Sequence, residues 1–132
     1  MDIIIFDDGL SIPHSLELHN YDFNNDCEAI LSAINGNSTK ETISNVERGC
    51  GLNNSFSIMS EGKNNSIIVA SRNGLICSKK GKIYKRDISD NLIDGTIAGL
   101  RFDLNYSFDS LYNIIRKRFD VKKNMQGSEI DN

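Results

Sequence analysis

The chain has 132 residues, of which 25% are charged and 39% hydrophobic, and its formal net charge is −3. That size and balance describe one domain able to bury a core, and they argue against intrinsic disorder. No stretch approaches the ~18 consecutive apolar residues of a membrane helix, and the opening residues lack the basic head and long apolar run of a signal peptide, so a cytoplasmic protein without a membrane partner is expected.

In chain order, residues 2–6 are β-branched and aromatic, and the D-D-G at 7–9 has the composition of a hairpin turn. A second strand is predicted over Leu10–Leu18, with Pro13 making it an edge or a bulge. Asn25 or Asp26 caps a predicted helix through Asn35, in which Cys27, Ile30, Leu31 and Ile34 form one stripe and Gly36 ends the run. Ser38 and Glu41 make a capping box that predicts a short helix over 39–48, although "TISNV" also reads as a strand.

From residue 54 to 86 the text becomes short β-like runs, "SFSIMS", "SIIVAS", "LICS" and "KIYKR", broken by "EGKNN", "RNG" and "KKG". Gly beside Asn or Lys at each break predicts an antiparallel meander. A loop, "DISDNLIDG", leads to a further strand, "TIAGLRFDL", whose Leu100, Phe102 and Leu104 alternate with Arg101 and Asp103. A last helix is predicted from Ser107 to about Asp120, with Phe108, Leu111, Tyr112, Ile115 and Phe119 on the face that docks on the sheet. The expected fold class is therefore α+β: a mostly antiparallel β-meander sheet packed by two or three helices, one domain over 1–123, and a flexible tail over 124–132.

Charge is unevenly placed along the chain. Residues 1–47 hold nine carboxylates against Lys40 alone, whereas the remainder holds nine carboxylates against fourteen bases. Cys27, Cys50 and Cys77 are widely spaced and odd in number, which reads as reduced thiols in the core rather than as a disulfide framework.

Asp7 and Asp8 with His14 or His19 offer metal-ligand types, but the two histidines would face opposite sides of one strand. Glu61 and Lys63 mimic the E-x-K of metal-dependent nucleases, yet they fall in an expected hairpin loop. "KKGK" and "GCGL" lack the spacing of a phosphate-binding loop, and no spacing forces a Ser-His-Asp or Cys-His arrangement. No catalytic residue, metal or cofactor is assigned.

Two binding readings remain. The carboxylates Asp7, Asp8, Glu17, Asp22, Asp26 and Glu28 form an acidic face for a cationic protein partner, whose capture their field would accelerate. Alternatively, Lys79, Lys80, Lys82, Lys85 and Arg86 contact nucleic acid, with Tyr84 available to stack on a base. The acidic opening "DDGLSIPHSLELHNYDFNNDCE", joined to a β-rich, Asn-heavy body, resembles the small immunity proteins of bacterial contact-dependent inhibition and related toxin systems. That resemblance implies a non-enzymatic cytoplasmic protein that binds and neutralises a cognate toxin domain, such as a nuclease.

Overall fold

A computed structural model describes residues 1–39, 51–61, 64–90 and 93–105, together with Asn113 and Arg116. Its elements run β1 (Asp2–Asp7), α1 (Ile12–Leu18), α2 (Asp26–Ile34), α3 (Gly51–Glu61), β2 (Ser66–Arg72), β3 (Gly74–Lys79), β4 (Lys82–Asp87) and β5 (Ile93–Arg101). The strands form one antiparallel sheet in the order β1-β5-β2-β3-β4, which makes this an α+β fold.

The meander expected over β2, β3 and β4 is present, with its turns at Arg72–Asn73 and Lys80–Gly81. Lys80 (φ 52°) and Gly81 (φ 71°) both adopt the left-handed backbone that matches a tight turn to the twist of its strands. The expected strand around "TIAGLRFDL" begins earlier and ends at Arg101, leaving Leu104 in a turn and exposed.

Two expectations are corrected. The D-D-G segment is not the tip of a hairpin, and residues 12–18 are helical rather than extended. Asp7 Oδ1 accepts the Gly9 N–H at 2.6 Å, which turns the chain out of β1. Ser11 then caps α1, its hydroxyl accepting the His14 N–H, and Pro13 occupies the first helical turn, where its missing donor costs nothing. The strand β1 pairs instead with β5, from Asp2 opposite Arg101 to Asp7 opposite Thr96.

The second correction concerns "SFSIMS", which lies within α3. Leu52, Phe56 and Met59 share one helical face, and the hydroxyls of Ser57 and Ser60 donate back to the carbonyls of Asn53 and Phe56. That back-bonding lets serines sit inside a helix. The α2 helix matches its expected range, with Asn25 rather than Asp26 as the cap. The 39–48 helix apart from Thr39, and the 124–132 tail, lie outside the described residues, as does the Ser107–Asp120 helix apart from Asn113 and Arg116, which are helical and exposed.

The helices pack on one sheet face. There Ile67, Val69 and Ile76 meet Cys27, Ile30 and Ile34 of α2 and Phe56 and Met59 of α3, all buried. Gly74 brings β3 against the start of α2: a Cβ at this position would lie 2.7 Å from the Asp26 carbonyl carbon. Ser71, fully buried, knits α1 to the sheet by accepting the Ile12 N–H at 2.9 Å and donating to the Gly95 carbonyl at 2.8 Å. Every residue of β1 and of β4 is exposed, so among the described residues the helices cover mainly the middle of the sheet. No helix among the described residues is long and apolar enough to cross a membrane.

Candidate binding face at one end of the sheet

Antiparallel topology brings the end of β1, the start of β5, the end of β2, the start of β3 and the end of β4 to the same end of the sheet. Asp7 and Asp8 follow β1, Asp94 opens β5, Asp87 closes β4, and Asp90 stands in the β4–β5 connection; all five are exposed. Asp22 is exposed in the segment leading into α2, whose first residues lie against Arg72 and Asn73 at this same end. Carboxylates far apart in sequence, including three from the part of the chain richer in bases, thus gather at one pole.

At the centre of this pole is Arg72. Its guanidinium donates to Asp26 Oδ1 at 2.6 Å through Nη2, and through Nε to both Asp26 oxygens. The same side chain donates to Glu17 Oε1 at 2.6 Å and to Glu17 Oε2 at 2.9 Å. Arg72 holds a left-handed backbone (φ 52°), which costs a residue with a Cβ roughly 1–2 kcal/mol and is here offset by the two carboxylates. The Asn73 N–H completes the clamp by donating to Asp26 Oδ2.

Arg72 beside them holds the carboxyls of both Asp26 and Glu17 below the usual carboxylate range, and the Asn73 N–H lowers Asp26 further, against the cost of burial. The two carboxylates in turn raise the guanidinium pKa. Asp26, only 8% exposed, is committed to this internal pair rather than to a partner. Glu17 is 42% exposed but also engaged. Glu28 is half-buried and accepts from the backbone and side chain of Asn24, which lowers its pKa. Of the six acids expected on the face, Asp8 and Asp22 are exposed, Asp7 is exposed while also bracing the turn, and Glu17, Asp26 and Glu28 are largely spent inside the fold.

Beside the clamp is an open cleft of about 520 Å³ lined by Asn25, Asp26, Cys27, Arg72, Asn73, Lys85, Arg86 and Asp87. The Oδ1 of Asn73 is buried there without a hydrogen-bond partner. The Cys27 thiol is buried and donates to the Arg86 carbonyl at 3.3 Å.

The basic run does not form one patch. Lys79, Lys80 and Lys82 surround the β3–β4 turn at the opposite end of the sheet, whereas Lys85 and Arg86 border the cleft. Lys82, Tyr84 and Arg86 alternate along β4 and so share a face, with Tyr84 54% exposed.

The histidines lie on or beside α1 rather than on a strand: His14 Nδ1 is 3.7 Å from Glu17 Oε2, and His19 Nδ1 is 2.9 Å from the Ser15 carbonyl. Among the described residues no group of three His, Cys, Asp or Glu side chains is arranged to hold a metal ion. Glu61 closes α3, and Lys63 lies outside the described residues.

Sequence reading missed Arg72, because its partners are 46 and 55 residues away, and missed the Asp87, Asp90 and Asp94 contribution, because these acids are scattered among bases. The "RNG" turn was the available signal for the former: a basic residue in a two-residue turn must have its charge placed somewhere. No protein-family model matches the chain, and no curated protein or solved structure matches it either.

Proposed function

We propose that this chain is a non-enzymatic binding protein that captures a cationic protein domain at the acidic end of its sheet, in the manner of a small immunity protein neutralising a cognate toxin. The observation that carries this reading is the convergence of Asp7, Asp8, Asp87, Asp90 and Asp94, all exposed, on the pole whose principal cation, Arg72, is already neutralised by Glu17 and Asp26. The acids at this pole outnumber its cations, Arg72, Lys85 and Arg86, and a cationic partner relieves the repulsion within that excess while its approach is steered by the field. The Arg72 clamp gives the surface a rigid base, since it fixes α1, α2 and the β2–β3 turn together.

The test is co-expression with a growth-inhibiting cationic domain that the chain captures from its native host. The chain should restore growth, and joint replacement of Asp8, Asp22, Asp90 and Asp94 by Lys should abolish protection without unfolding it. Failure to protect would refute the reading.

The alternating Lys82, Tyr84 and Arg86 supports a second reading, a single-stranded nucleic-acid contact on β4. That reading gains if Tyr84→Ala and Lys82→Gln weaken binding of a fluorescent oligonucleotide while the acidic replacements do not.

A further inference from the structure

We propose that β1 is the seam of a symmetric dimer, in which it pairs antiparallel with β1 of a second copy so that Ile4 lies opposite Ile4. The inference is independent of the reading above.

Met1 and Phe102 exchange two backbone hydrogen bonds, Phe102 N–H to the Met1 carbonyl at 2.8 Å and Met1 nitrogen to the Phe102 carbonyl at 3.1 Å. In an antiparallel ladder such pairs alternate, so Ile3, Ile5 and Asp7 bond inward to β5 through Leu100, Ala98 and Thr96. The N–H and C=O groups of Asp2, Ile4 and Phe6 therefore point outward along the open edge. The side chains on this edge are apolar and uncovered: Ile4 is 78% exposed, Phe6 63%, Ile5 56% and Ile3 38%. Edge strands are commonly protected by lysine, proline or a bulge, and "IIIF" carries none of these.

The alternation also selects the partner register. Outward-bonding residues must meet outward-bonding residues, so an even-numbered position faces an even-numbered one. Pairing Asp2 with Asp7, which would set carboxylate against carboxylate at both ends, is thereby excluded. Pairing Ile4 with Phe6 would bring Asp2 opposite Asp8 twice, and like charges directly opposite are destabilising. Pairing Asp2 with Ile4 would leave Phe6 outside the ladder.

Pairing Ile4 with itself uses all of β1. It sets Ile3 opposite Ile5 and Phe6 opposite Asp2, whose carboxylate is already held by Arg101 at 2.8 Å. No carboxylate then faces another. The two-fold axis also places the acidic end of each copy beside the Arg101 end of the other. The sequence of β1 is thus self-complementary in a register that its hydrogen bonding allows and that sets no carboxylate against another, as an isologous interface requires.

Sedimentation equilibrium of the full chain should return twice the 14.8 kDa chain mass. Ile4→Pro removes an outward-pointing N–H and none of the bonds to β5, and should halve that mass while circular dichroism and the melting transition show a folded protein. Mild oxidation of Ile4→Cys should give an intermolecular disulfide mapped to position 4 by peptide mass spectrometry, because directly opposite residues lie within disulfide reach. Ile5→Cys, which faces Ile3, should not cross-link to itself. A monomer at every concentration, a dimer that survives Ile4→Pro, or cross-linking at position 5 rather than 4 would each overturn the proposal.

Discussion

Arg72 Nη2 lies 2.6 Å from Asp26 Oδ1, joining the turn after β2 to the first residue of α2 across 46 positions of sequence. The pair closes the end of the molecule that carries the proposed binding face, and its loss should be felt more than that of any exposed ion pair. Asp26→Ala leaves the guanidinium with Glu17 alone and the Asn73 N–H without its acceptor. We expect a loss of about 2–3 kcal/mol in chemical denaturation, towards the lower end for a broken buried pair because Arg72 remains 28% exposed. Glu17→Gln should cost less than about 1 kcal/mol, since that carboxylate is partly solvated.

The same pair sets an acid limit. Asp26 and Glu17 have lower pKa values folded than unfolded, so their contribution is complete above the ordinary carboxylate range and is lost as pH falls through the depressed folded values. Stability should therefore decline once pH drops below about 5, where the unfolded carboxyls begin to take up protons. In Arg72→Gln the decline should be shallower, as measured by urea midpoints across the acid range.

Arg72 combines a favourable clamp with an unfavourable backbone, and two substitutions separate them. Both Arg72→Ala and Arg72→Gly remove the clamp, but only glycine relieves the left-handed φ of 52°. The glycine variant should be the more stable of the two by about 1 kcal/mol, read from their denaturation midpoints.

Ser71, on β2, ties that strand to α1 through Ile12 and to β5 through Gly95 and Thr96. Ser71→Ala leaves the Ile12 N–H without its acceptor and should cost about 1–3 kcal/mol, with faster amide exchange in α1. Gly74→Ala drives a methyl group into the backbone of Asp26 and Cys27, and should cost about 1–3 kcal/mol by calorimetry.

The parts of the fold that were legible in the sequence are those decided locally. The β2–β3–β4 meander was marked by turn residues at each break, and α2 by a capping Asn25 and an apolar stripe. The first helix is not legible locally because D-D-G suits both a hairpin and the Asp7–Gly9 turn actually formed, and because Pro13 fits a strand defect as well as the helix start that Ser11, two residues earlier, makes of it.

The pairing of β1 with β5 joins residues 99 positions apart at Asp2 and Arg101, beyond any local pattern. The acidic opening was seen, but which carboxylates stay outward depends on Arg72 and on strand ends that meet only once the sheet is formed. Half of that candidate set was spent on internal bonds, while Asp87, Asp90 and Asp94 joined it from elsewhere.

The most direct test of the central claim is stopped-flow association with the purified cationic domain that the chain captures from its native host, measured over a range of salt concentrations. Steering by the acidic pole predicts a fast association rate that falls steeply as salt rises. Joint replacement of Asp8, Asp22, Asp90 and Asp94 by Lys should slow association at low salt by about tenfold or more and remove that steep fall. An unchanged rate and salt slope in this variant would contradict the account.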